Sequence, residues 1–173
     1  MNEKDILTLL LKKSYTKAQI QRRLRILKEF VEHKVYSKTT STLSQFLKKE
    51  KYNESDIEVL KEMPEEIFKI FDKKNTYNTF NRLTSLLQET KPIEVYIPYE
   101  FDDKETEKLG LWFRNNVSDE AILEPHTDPA LLGGCAVAMD GVYKNYSLRY
   151  YIDKYRDKIR KIIEDNVQKQ LVS

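Results

Sequence analysis

Three of the chain's four glycines stand in "LLGGCAVAMDG", residues 131–141, together with its single cysteine. A glycine pair among apolar residues has the composition of a phosphate-cradling loop, where bare backbone amides approach an anion. That chemistry needs Gly-x-x-x-x-Gly-Lys-Ser/Thr or Gly-x-Gly-x-x-Gly between a strand and a helix. Here Gly133-Gly134 leads into an apolar run, no lysine follows, and Asp140-Gly141 reads as a two-residue hairpin turn. The spacing points to a tight loop with a close backbone approach rather than to nucleotide binding.

The other chemistry-bearing residues are scattered. His33 and His126 lie far apart, and neither has partners at ligand spacing, although His126 shares "EPHTDP" with Asp128. Cys135 sits in an apolar stretch, where a thiol serves as a small hydrophobe before it serves as a nucleophile. One cysteine allows no internal disulfide framework and fits a reducing compartment. No nucleophile, base and oxyanion donor assemble into a set. The expectation is a non-catalytic protein with no cofactor and no metal.

Charge is uneven along the chain. Residues 1–51 carry 13 Lys/Arg against 5 Asp/Glu, residues 52–119 carry 9 against 15, and the remainder balances at 8 against 8. A basic N-terminal third suits an acidic partner, whether nucleic acid, a lipid surface or an acidic protein, and equally suits a solvated helix face. "KAQIQRRLRILK" puts its basic residues on the polar side of an amphipathic helix but lacks stacking aromatics. The opening segment lacks a signal-peptide cleavage site. No apolar run reaches the roughly 18 residues that span a bilayer, so a soluble chain is expected.

The elements that would position these residues fall into two groups. Ile20, Leu24, Leu27, Val31 and Val35 recur on one helical face after a candidate N-cap, Thr16. Shorter helices follow through Leu43, Phe46 and Leu47, through Ile57 and Leu60 after Asn53, and through Ile67, Phe68 and Phe71 after Pro64. Tyr77, Phe80, Leu83 and Leu87 form the last of them. One-sided helices of this kind are satisfied by packing on one another, as a bundle over residues 1–91.

From residue 92 the period changes. Ile93, Val95 and Ile97 alternate as a half-buried strand that Pro98 stops. Asp102 and Glu105 form a capping box for a helix burying Leu109, Trp112 and Phe113. "AILEP" reads as a strand ended by Pro125, and "CAVAM" and "VYKNY" flank the hairpin turn. One long helix then runs from Ser147 nearly to the end. The fold class is α+β, mainly α, with a small α/β domain over residues 92–173.

"DPALLGG", a strand, a turn, a second strand and "NYSLRYYI" together resemble the C-terminal signature of the F-type ATP synthase delta subunit, the family that includes the mitochondrial oligomycin-sensitivity-conferring protein. Asp128, Pro129, Leu131, Gly133, Gly134 and Ser147 fall on that pattern. Leu132 replaces the usual Ile, Ala130 the usual Ser, and Asn145 the usual Asp. The motif covers about fifty residues, and the first ninety match the family in architecture alone.

The resemblance implies a peripheral-stalk subunit on the cytoplasmic side of a bacterial membrane, without catalysis of its own. It would join the alpha subunits of the catalytic head to the b subunits and hold the head against rotor torque. An alpha-subunit N-terminal helix would lie in a groove walled by Leu7 and Leu10 of the first helix and by Phe80, Leu83 and Leu87 of the fifth. The b subunits would meet the C-terminal domain, whose last helix extends its apolar row through Ile159, Ile162, Ile163 and Val167 to Leu171. A mobile tail is the competing account of that extension, and a nucleic-acid-binding adaptor using the basic N-terminal helices is the alternative function.

Overall fold

The computed structural model describes residues 3–37, 41–49 and 51–171, the side chains of residues 3, 4 and 168–171 excepted. The chain divides into two units. One takes the chain up to Pro92 together with Phe101–Glu124, and the other takes Ile93–Glu100 and everything from Pro125 onward.

The helical unit is organised on α2 (Lys17–Tyr36). Thr16 caps it: its hydroxyl accepts the Gln19 amide at 3.1 Å, and the Gln19 side chain accepts the Thr16 amide in return. Ile20, Leu24, Leu27 and Val31 are buried as their spacing predicts, while Val35 is only half-buried. Helices α1 (Glu3–Lys12) and α5 (Thr76–Glu89) pack on this face and on each other. The short α3 (Leu43–Lys49) and α4 (Glu54–Lys61) pair beside them, α4 capped by the Asn53 side chain. A 3-10 turn over Glu65–Ile70 begins after Pro64. Phe30 meets Phe68 edge-on at 5.0 Å, and Phe71 stacks on Phe80 at 5.1 Å. Tyr77, expected on the inner face of α5, instead points to water, and Thr76 and Thr79 fill the inner positions.

Residues 101–124 depart from the boundary the sequence indicates between 91 and 92, because they return to the helical unit. The cause is α6 (Asp103–Asn116), opened by the expected box between Asp102 and Glu105. Gly110 presents bare backbone to Tyr15, and Arg114 reaches the end of α1. This orientation buries Gly110 and Phe113 and leaves Leu109 half-buried. Trp112, expected inside, is 56% exposed. Beyond α6, Ile122 joins the bundle core and the Leu123 amide donates to the Tyr15 carbonyl at 2.8 Å.

The second unit holds all but the first two β2 residues of a small mixed sheet in the order β2-β1-β3-β4. Its strands are β1 (Ile93–Ile97), β2 (Leu123–Thr127), β3 (Ala136–Met139) and β4 (Val142–Asn145). Strand β1 pairs antiparallel with β3, Val95 opposite Val137, and β3 pairs with β4 across the hairpin. Asp140 and Gly141 both have positive φ, 50° and 77°, the geometry of a tight I′ hairpin turn. Pro125 does not end β2 but lies inside it, which an edge strand tolerates because the missing amide costs no ladder bond. The expected single last helix is two: α7 (Leu148–Lys154) and α8 (Arg156–Leu171), separated at Tyr155, which leaves helical geometry at φ −111°, ψ 19°. The whole is a mainly helical α+β fold.

Candidate functional site

The glycine loop is built against its own chain. Asp128 starts it, its carboxylate accepting the Ala130 amide at 3.0 Å, and Pro129–Leu131 form one 3-10 turn closed by Leu132 in the left-handed region. The Gly133 carbonyl then accepts the Leu148 amide at 2.9 Å, and the Cys135 carbonyl accepts the Tyr146 amide at 2.8 Å. Gly134 has φ +72°, and a Cβ there would lie 2.4 Å from the Tyr146 carbonyl oxygen. The space above the glycine is filled by the β4–α7 junction. Ser147, fully buried, caps α7 through its hydroxyl to the Tyr150 amide at 3.2 Å. Asn145 turns the chain into that cap, its side chain accepting the Ser147 amide at 2.9 Å. The motif residues Asp128, Pro129, Leu131, Gly133, Gly134 and Ser147 thus form one contiguous device that fixes where α7 begins.

The histidines are not brought together. His33 belongs to the helical unit, where its ring tilts against Phe46 at 5.7 Å. His126 belongs to the other and stacks on Tyr96 at 5.1 Å. Among the described residues no group of His, Cys, Asp and Glu has the arrangement of a metal site. Burial pushes the Cys135 thiol above its ordinary pKa, which disfavours the reactive thiolate.

The basic residues of α2 are partly spoken for. Arg23 is buried and donates to Asp56 at 2.9 Å, to the Lys13 carbonyl at 2.6 Å and to the Ser14 hydroxyl at 2.7 Å. Arg22 grips the same carboxylate through two nitrogens, a bond that raises its own pKa. A buried carboxylate shared by two guanidiniums is a structural joint between α2 and α4.

Of the five expected groove residues of the bundle, Phe80 and Leu87 line one groove together. Leu10, Phe80, Leu83 and Leu87 are buried in the core, and Leu7 is half-buried. Helices α1 and α5 pack against one another here. A groove of about 290 Å³ runs between α2 and α5, lined by Leu24, Phe80, Thr84 and Leu87 together with Gln21, Arg25, Lys28 and Asn81.

The C-terminal candidates are all on the surface. Ile159 is 39% exposed, Ile163 57% and Val167 49%, and Ile152 and Ile162 are exposed beside them. Leu171 lies outside the residues whose side chains are described. A groove of about 350 Å³ follows this face, between Ile152, Ile159 and Ile163 on its apolar side and Arg156, Arg160 and Glu164 on its polar side. The broken helix extends the apolar surface toward Leu148, Tyr150, Tyr151 and Tyr155, all exposed.

A family model described as "Uncharacterised protein" matches residues 29–132, more than half of the 173, and the chain belongs to that family. The matched segment spans most of the helical unit and ends at Leu132, inside the glycine loop. No curated protein matches the chain.

Proposed function

We propose that the chain is a peripheral-stalk (stator) subunit of an F-type ATP synthase, a non-catalytic connector between the alpha subunits of the head and the b subunits. The observation that carries this reading is the open apolar row Ile159, Ile163 and Val167 on α8, which the helix's own unit does not cover. Branched apolar side chains in such a row are half of a helix-on-helix contact. On this reading the b subunits supply the other half.

The loop over Asp128–Gly134 supports the same role, since a connector transmits load only if the segment leading into its binding helix has a fixed root. Backbone bonds from Gly133 and Cys135 to the start of α7 provide one. The alpha-subunit contact is assigned to the α2–α5 groove, whose Arg25 and Lys28 would meet acidic side chains of an incoming helix. No helix among the described residues is long and apolar enough to cross a membrane, so attachment at the membrane would come through the b subunits. The reading as a nucleic-acid adaptor loses force at α2, where Asp56 holds both Arg22 and Arg23.

The test is purification of the tagged chain from its native cell under mild detergent. Recovery with alpha, beta and b subunits in fixed ratio supports the proposal, and recovery without any synthase subunit refutes it.

A further inference from the structure

We propose that the free chain forms an antiparallel homodimer through α8. This goes beyond the stator reading, because it concerns the chain before any synthase partner is bound.

The argument begins with the row itself. At 3.6 residues per turn, Ile159 and Ile163 lie in the middle of the exposed face, with Ile162 and Val167 to either side. The same geometry sets Arg160 and Glu164 along one edge and Lys158 and Asp165 along the other. Over residues 158–165 each edge therefore carries a cation toward the helix N-terminus and an anion toward the C-terminus. None of these four residues forms an ion pair with another described side chain, although Arg160 and Glu164 stand at i,i+4. The nearby Arg156, by contrast, is engaged by Asp153 at 2.8 Å.

This charge order selects the orientation of a second copy. In an antiparallel pair centred on the Ile159–Ile163 turn, like edges meet and run in opposite directions. Arg160 then faces Glu164 of the other copy, Lys158 faces Asp165, and symmetry repeats both pairs. In a parallel pair opposite edges meet at equal height, so Arg160 faces Lys158 and Glu164 faces Asp165. One arrangement has four attractions where the other has four repulsions. The groove beside Ile152, Ile159 and Ile163 is the seat for the isoleucines of the second copy. The same side chains serve the b-subunit contact of the stator reading, so dimer and stalk contact exclude one another.

Sedimentation equilibrium of the full chain alone tests the proposal. The wild type should show a concentration-dependent monomer–dimer equilibrium. Arg160→Glu and Glu164→Arg should each weaken the dimer at least about fivefold, as reversal of exposed ion pairs does when each occurs twice. The double variant R160E/E164R restores every pair and should bring the constant back to within about twofold of wild type. Far-UV circular dichroism of each variant confirms that α8 stays helical. A wild type that remains monomeric over its soluble range overturns the proposal. So does a dimer indifferent to the single swaps, one that Arg160→Glu strengthens as a parallel pair would be, or a double variant that fails to recover. The chain is measured alone, so the outcome is independent of whether it binds alpha or b subunits.

Discussion

Gly110 and Tyr15 are packed so closely that a Cβ on the glycine would come within 2.4 Å of the tyrosine Cβ. The contact lets α6 lie on the α1–α2 turn, with the Arg114 guanidinium 4.6 Å above the Tyr15 ring. Arg114 donates to the carbonyls of Leu11, Lys12 and Ser14, so a cation on α6 closes the C-terminal end of α1. Burial lowers its pKa, but a guanidinium stays charged at any physiological pH.

Replacing Gly110 with Ala should therefore destabilise the protein, against the usual helix preference for Ala. The gain in propensity is about 1 kcal/mol, and overpacking of a close contact costs about 1–3 kcal/mol. Urea unfolding should show a net loss with an unchanged slope. A gain in stability would mean that α6 is not seated on Tyr15 as described.

Gly134 is constrained twice, by its positive φ and by the Tyr146 carbonyl. Gly134→Ala should cost about 1–3 kcal/mol through strain and displacement of the β4–α7 junction. The loss should be accompanied by faster amide exchange at Tyr146 and Leu148, whose bonds to Cys135 and Gly133 hold that junction. Unchanged exchange at both amides would contradict the role given to the glycine pair.

Among the described residues Asp56 is the sole acid paired with the buried Arg23, and it also holds Arg22. Asp56→Asn leaves a guanidinium buried without its counter-charge, which typically costs about 3–5 kcal/mol. Thermal unfolding of the variant should fall by roughly 10 °C for a chain of this size. A shift within a degree or two would show that the joint between α2 and α4 is dispensable.

The Cys135 thiol is raised by burial, and the sign of the consequence follows from the reactive form. A raised pKa leaves less thiolate at any pH below it, so alkylation at pH 8 should run several-fold slower than for a small free thiol. The rate should keep climbing with pH beyond the point where a small free thiol levels off, and urea should abolish the difference. Mass spectrometry after timed iodoacetamide treatment reads this directly. A native rate equal to that of a free thiol would place Cys135 in open solvent.

Local signals carried much of the fold in the sequence itself. The caps at Thr16, Asn53, Asp102 and Ser147, the alternating strand over Ile93–Ile97 and the Asp140-Gly141 turn all depend on neighbours within a few residues. What was not legible depends on distant partners. The rotation of α6 that exposes Trp112 follows from the fit of Gly110 to Tyr15, ninety-five positions away in sequence. Pro125 stays inside β2 because β2 is an edge, a property of the sheet order and not of the strand. The break at Tyr155 falls within an unbroken apolar period, with Asp153 bridging Arg149 and Arg156 across it. The exposure of the apolar row on α8 was readable because the row outruns its unit. The burial of Leu10, Leu83 and Leu87 was not legible, because core and surface leucines look alike in sequence.

The central claim is that the exposed row of α8 is where the stalk attaches. Calorimetric titration of the chain with the soluble segment of the cognate b subunit tests it most directly, using wild type beside the double variant I159D/I163D. These side chains are exposed, so the variant should keep the fold, with an unchanged melting curve and circular dichroism spectrum. The account predicts saturable binding by the wild type and a loss of at least tenfold, about 1.4 kcal/mol, in the variant. No binding by the wild type, or full-strength binding by a folded variant, would contradict it.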